Sequence, residues 1–214
     1  MMRKKSEILE IMHIFERENP NPQSELIFHN PYTLLVAVIL SAQSTDKGVN
    51  KATAELFKVA DSAQKMLDLG EEKLKDHIKT IGLFNNKAKN IIAMSKQLVE
   101  NFGGEVPTDR DILTTLAGVG RKTANVVMNV WYNQPTLAVD THVMRIAHRL
   151  DFSRGKTPLD VENDLVKVLP QEMIVHTNHW LVLFGRYICK AQHPLCDKCP
   201  IYDYCQSNDK KPSF

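Results

Sequence analysis

All four cysteines of this chain lie near its end, and none occurs before Cys189. Their spacing is Cys189-x6-Cys196-x2-Cys199-x5-Cys205, which places four candidate thiolates within 17 residues. A disulfide scaffold would staple more of the chain, and a domain of this size needs no staple. A local metal centre is the better reading. Zinc sites more often pair two Cys-x2-Cys units, and only one is present; the ferredoxin spacing is absent too. Chemistry alone leaves open an iron–sulfur cluster, a zinc ion, or thiols that are unliganded or disulfide-linked. Arg186, Lys190 and Lys198 flank the cysteines, and either touch phosphate or offset the negative charge of the thiolates.

The second stretch with chemical content is Leu116 to His142, LAGVGRKTANVVMNVWYNQPTLAVDTH. Gly118 and Gly120 allow a sharp turn and keep side chains away from whatever approaches it. The first-turn N–H groups of the following helix, with Val119 and Arg121 beside them, suit a phosphate. Lys122 sits on that first turn, where a cation opposes the helix dipole unless an anion or a reaction partner compensates. Asp140 precedes Thr141 at an expected helix start. An N-cap is the plain reading of Asp140, and capping is compatible with catalysis. His142 reads as a structural hydrogen-bonding residue rather than a base.

Helical spacing runs through the elements that must position these residues. Ile8, Leu9, Met12 and Phe15 mark a helix over Glu7 to Arg17, and Asn19-Pro20-Asn21-Pro22 ends it. The run YTLLVAVILS after Pro31 is apolar almost all round and predicts a central core helix. Gln43 follows it on an expected protruding loop. A helix is expected from about Asp46 to Val59, with short ones near 63–67 and 72–80. Ile81-Gly82-Leu83 is a second glycine turn before a helix over Lys87 to Phe102, closed by Gly103-Gly104. Thr108 with Asp111 predicts a capping box at the start of the hairpin. Tyr132 to Pro135 reads as a crossover loop. Val143, Ile146, Ala147 and Leu150, then Val161, Leu165, Val166 and Leu169, then Val175 to Tyr187, mark three further helices. No strand pattern and no repeat stands out, so an all-α chain of about ten helices is expected.

The bounds agree with this. A chain of 214 residues buries roughly 70% of its unfolded surface. Its net charge of +2 permits a nucleic-acid partner without requiring one. There is no 18-residue apolar run and no signal-peptide pattern, so a cytoplasmic chain without membrane association is expected.

The Gly-Val-Gly turn with Lys122, then Val139-Asp140-Thr141-His142, then the cysteine spacing together resemble bacterial endonuclease III. This is the family of bifunctional DNA glycosylases and abasic-site lyases in the helix-hairpin-helix superfamily. The likeness runs from about Glu7 to Cys205. It implies one [4Fe-4S] cluster on Cys189, Cys196, Cys199 and Cys205. It implies two helical domains with a DNA-binding cleft between them: residues 24–135, holding the hairpin at about 108–131, and residues 1–23 plus 136–214, holding the cluster loop 189–205. Lys122 matches the Schiff-base lysine and Asp140 the essential aspartate. Gln43 matches the glutamine that fills the gap left by a flipped nucleotide, and Leu83 looks like a wedge. Leu116 to Lys122 match the phosphate-binding hairpin.

The substrate so implied is double-stranded DNA with damaged pyrimidines or abasic sites, met by a monomer at the bacterial nucleoid. One departure is visible: the family usually has proline where this chain has Ala117. An adenine-mismatch glycosylase would lack the lysine and add a C-terminal domain. An 8-oxoguanine lyase would normally lack the cluster. A non-enzymatic DNA-binding module would have no use for Lys122 with Asp140.

Overall fold

The computed structural model describes residues 2–212, and among these there are helices and no strands. In chain order the helices are α1 (Lys5–Glu18), α2 (Pro31–Ser41), α3 (Asp46–Val59), α4 (Ala63–Leu69), α5 (Glu71–Ile78), α6 (Phe84–Phe102), α7 (Arg110–Leu113), α8 (Arg121–Val130), α9 (Thr141–Arg149), α10 (Pro158–Val168) and α11 (Gln171–Tyr187). Two 3₁₀ turns follow, Cys196–Lys198 and Tyr202–Tyr204. None of the described helices is long and apolar enough to cross a membrane. The chain divides into two compact units, residues 24–134 and residues 1–23 with 135–214.

The unit of residues 24–134 is built on α2. Pro31 starts that helix in the position where a missing N–H costs nothing. Asn30 accepts from Thr33 N, and Thr33 Oγ1 in turn accepts from Asn30 N, a reciprocal cap not foreseen from the sequence. Every residue from Tyr32 to Leu40 is buried, as the all-round apolar run requires. Around α2 pack α3, α6 and α8, with Leu56, Met66, Leu74, Ile91, Leu98 and Val127 filling the core. Helix α6 starts at Phe84, earlier than the expected Lys87. Leu83 precedes it in the left-handed region at φ 58°, which bends the chain directly into the helix. At its far end Gly103, at φ 61°, and Gly104 both return their N–H groups to the Leu98 carbonyl.

The hairpin's first helix, α7, is only four residues long. Its cap is Asp109 and not the expected Thr108: Asp109 Oδ1 accepts from Asp111 N at 2.8 Å and Ile112 N at 3.0 Å. The carboxylate one residue later reaches two orphan donors, which a Thr108–Asp111 pair would not satisfy together.

In the other unit α9 and α1 pack on α11, and α10 packs on α9. Phe15 meets Phe184 with ring centroids 4.9 Å apart, and Trp180 Nε1 donates to the Asn19 carbonyl. The N-terminal helix and the C-terminal helix thus share one core with Ile8, Ile11, Met12, Val143, Ile146, Leu165 and Leu181. Helix α10 carries a capping box between Thr157 and Asp160 with Pro158 at its first position.

Candidate DNA-repair site and cysteine centre

Within residues 24–134 the hairpin turn and the Gln43 and Leu83 loops all meet α6. Gly118 turns the hairpin at φ 76°, a conformation that disfavours any L side chain. A Cβ there would also lie 2.8 Å from Asn90 Cβ on α6, so only glycine fits. About two turns further along α6, Gln97 reaches the same hairpin. Its Oε1 accepts from Ala117 N at 2.7 Å and its Nε2 donates to Thr115 O at 3.3 Å. Ala117 has an N–H that proline lacks, and Gln97 uses it. Gly120 differs from Gly118: its φ is −92° and a Cβ would meet nothing within 4 Å. Its value is as the N-cap of α8, with no side chain between the helix start and an approaching ligand.

Lys122 stands exposed on the first turn of α8, next to exposed Arg121, while Val119 is buried and pins the loop. The first-turn N–H groups of α8 have no side-chain cap, so the N-terminal end of its dipole is left for an anion.

Two further candidates, Gln43 and Leu83, occupy adjacent exposed loops. Both are non-glycine residues at positive φ, 55° and 58°. Such residues carry roughly 1–2 kcal/mol of backbone strain, and they persist only where the surrounding structure over-determines the chain. Leu83 is 59% exposed, the highest among the large apolar side chains of the described residues. Periodicity did not single out Lys87, a buried cation beneath these loops.

Within the other unit Asp140 caps α9. Its Oδ1 accepts from His142 N at 2.8 Å and Val143 N at 2.9 Å. His142 Nδ1 faces Arg145 Nη2 at 3.2 Å. Burial lowers the His142 pKa and Asp140 opposes that, while Arg145 and Arg186 push it lower still. His142 thus sits in a hydrogen-bonding contact with Arg145. Arg145 continues to the carbonyls of Gly185 and Cys189 at 2.8 and 3.3 Å. Gly185 is the close-approach point of α9 and α11: a Cβ there would stand 3.1 Å from both His142 Cβ and Arg145 Nη2.

All four cysteines are half-buried and free of disulfides. They line one pocket together with apolar Leu150, Phe184, Ile188 and Ile201. Four thiolates lining one pocket are a donor set that fits an iron–sulfur core, in which each takes a different iron. Burial pushes the Cys189 thiol up, with Arg149 opposing it, and pushes the Cys199 thiol to about 11.

Arg149 was not singled out from the sequence and closes one side of the cavity. It donates to Cys189 Sγ at 3.3 Å and Lys190 O at 2.7 Å, and its other edge pairs with Asp209 at 2.7 Å. Lys190 and Lys198 are exposed on this loop, and Arg186 is half-buried in the last turn of α11.

The fold and these sites define a helix-hairpin-helix protein of DNA repair. Residues 36–171 match the HhH-GPD superfamily of base excision DNA repair proteins. Residues 189–205 match the iron-sulfur binding domain of endonuclease III. Endonuclease III of Rickettsia conorii is 56% identical over 195 residues, covering 91% of this chain and 93% of that protein. Endonuclease III of Escherichia coli K12 is 51% identical over 206 residues, covering 96% and 98%. A solved structure of a trapped endonuclease III–DNA covalent intermediate superposes with a TM-score of 0.91 at 44% identity, covering 96% of this chain and 97% of that one. The chain belongs to the endonuclease III family of base-excision DNA glycosylases with abasic-site lyase activity, and it carries that family's iron–sulfur binding segment.

Proposed function

We propose that this chain removes damaged pyrimidines from duplex DNA and nicks the resulting abasic site through a Schiff base on Lys122. The observation that carries the reading is Lys122 itself, exposed on the first turn of α8 immediately after the Gly118–Gly120 turn, where the helix start has no side-chain cap. The relative solved as a covalent intermediate with DNA supports it. The neutral Nζ attacks C1′, and the damaged base departs with the electrons of the glycosidic bond and takes up a proton. Loss of a proton from the nitrogen and opening of the sugar ring leave an iminium. That electron sink acidifies a C2′ proton. Its removal expels the 3′ phosphate by β-elimination, and water then releases the lysine.

Asp140 is the carboxylate that stabilises positive charge developing on the sugar and helps relay protons. Gly118, Val119, Gly120 and Arg121 hold backbone phosphates, assisted by Arg186, Lys190 and Lys198, with little base preference. Gln43 occupies the gap left by the flipped nucleotide, and Leu83 wedges the neighbouring stack. Cys189, Cys196, Cys199 and Cys205 are the ligands of a [4Fe-4S] cluster. When bound, the cluster supplies four metal–thiolate bonds that tie the C-terminal loop together. The enzyme acts as a monomer on nucleoid DNA.

Borohydride reduction during turnover of a damaged-pyrimidine duplex is expected to trap a protein–DNA adduct that peptide mapping places at Lys122. Lys122→Gln is expected to abolish trapping and nicking while retaining binding. An adduct at another lysine would reject the mechanism.

A further inference from the structure

One buried cation takes no part in this chemistry. Lys87, on the first turn of α6, is 5% exposed. Its ammonium donates to the carbonyls of Leu40 at 2.9 Å and Ala42 at 2.6 Å, and to Ser44 Oγ at 3.3 Å. All three of its N–H donors are thereby used. Burial lowers its pKa, so the charge is tolerated only because these acceptors meet it. They are the right acceptors. The end of an α-helix gathers partial negative charge, and its last carbonyls have no donor within the helix. Helix α2 ends without a glycine, its cap being Ala42 at φ −57° and ψ 118°. A lysine from another helix caps it instead.

The capped segment leads directly into Gln43, exposed and left-handed. The turn that starts α6 holds Leu83, also exposed and left-handed. A Cβ on Gly82 would lie 3.7 Å from the Gln43 carbonyl, so the two loops rest against each other. The hairpin is held separately, by Asn90 and Gln97 farther along α6.

We propose that Lys87 is a positioning residue that joins the Gln43 and Leu83 loops into one preformed element for opening the duplex. The proposal rests on the reading of Gln43 and Leu83 as residues that enter DNA. Without the ammonium, the carbonyls of Leu40 and Ala42 lose their donor and residues 42–44 relax from their strained path. Entry into a stacked duplex then has to rebuild that path. Chemistry at an already open site does not.

The test uses the full chain with its cluster and an abasic site placed either in a fully paired duplex or opposite a gap of several nucleotides. Single-turnover nicking is measured on both, and 2-aminopurine opposite the abasic site reports opening of the paired duplex. Lys87→Met keeps the length of the side chain and removes the donors. It is expected to slow nicking and opening of the paired duplex by roughly 5- to 30-fold, the population change that matches relaxing one strained residue. On the gapped substrate it is expected to stay within about twofold, since opening is already supplied. Lys87→Gln keeps two donors, is the fallback if the methionine variant does not fold, and should show the same substrate contrast at smaller size. Equal losses on the two substrates, or no loss on either, would overturn the proposal. Gln43→Ala and Leu83→Ala make the outcomes separable. If both leave the paired duplex unaffected, the reading of those loops fails. If both slow it while the Lys87 variants do not, only the role of Lys87 fails.

Discussion

Asp140 caps α9 and, in the proposed mechanism, also acts at the sugar, and substitutions divide the two roles. Its Oδ1 caps α9, a role that asparagine fills about as well. Asp140→Asn is therefore expected to keep the thermal midpoint near that of the parent, yet to slow base release by about 100-fold, the scale of one positioned acid–base or electrostatic group. Asp140→Ala should lose the cap as well, costing about 1 kcal/mol of stability. Paired thermal melts and single-turnover kinetics check both; equal melting losses for the two variants would refute the capping argument. The hairpin glycines divide in a similar way. Gly118→Ala combines positive φ with a clash against Asn90 and is expected to destabilise by at least about 1–2 kcal/mol and to weaken DNA binding. Gly120→Ala has an ordinary φ and open space, and is expected to fold with a change under about 1 kcal/mol. Urea denaturation of the pair measures the contrast.

Helix α6 is the strut of its unit. Positions 83, 87, 90 and 97 follow helical spacing, so one face carries the Leu83 turn, the lysine under the Gln43 loop and the two supports of the hairpin. The Gln97–Ala117 bond at 2.7 Å ties the hairpin to α6 through a side chain. Gln97→Leu is expected to cost about 1 kcal/mol, the usual net worth of such a bond. Ala117→Pro removes the N–H that Gln97 accepts, so adding Gln97→Leu to it should cost less than in the parent. A double-mutant cycle on melting temperature and on affinity for abasic duplex reads this coupling, and strict additivity would rule it out.

At the scale of the whole chain, two cores are stabilised by different means. Residues 24–134 bury an unbroken apolar helix inside a shell of others. The unit of residues 1–23 and 135–214 carries near its end a loop with two 3₁₀ turns, held by Arg149 and Arg145 and lined by the four cysteines. Removing the cluster, or replacing Cys199 with Ala, is expected to loosen this second unit first, because metal binding there is part of its folding free energy. Hydrogen exchange should show lost protection in α1, α9 and α11 while α2 and α6 remain protected. Uniform loss across both units would contradict the division.

What the amino-acid sequence determined by itself is what neighbouring residues decide. Helical periodicity, glycine at the ends of α6, the Asp140 cap and the cysteine spacing all lie within a few residues of chain, where connectivity already limits the geometry. The buried run of α2 was legible because no helical face of it is polar. The misread cap at Thr108 shows the limit even there, since two oxygen-bearing residues compete for the same donors and only geometry selects Asp109. Tertiary structure alone decided the long-range pairings: Lys87 with Leu40 across 47 residues, Gln97 with Ala117 across 20, Arg149 with Cys189 across 40. A lysine or glutamine on a helix ordinarily faces water, and the sequence carries no sign that a distant carbonyl will meet it. The left-handed backbone at Gln43 and Leu83 is hidden for the same reason, because residues of ordinary propensity hold a strained conformation only where packing from elsewhere compensates for it.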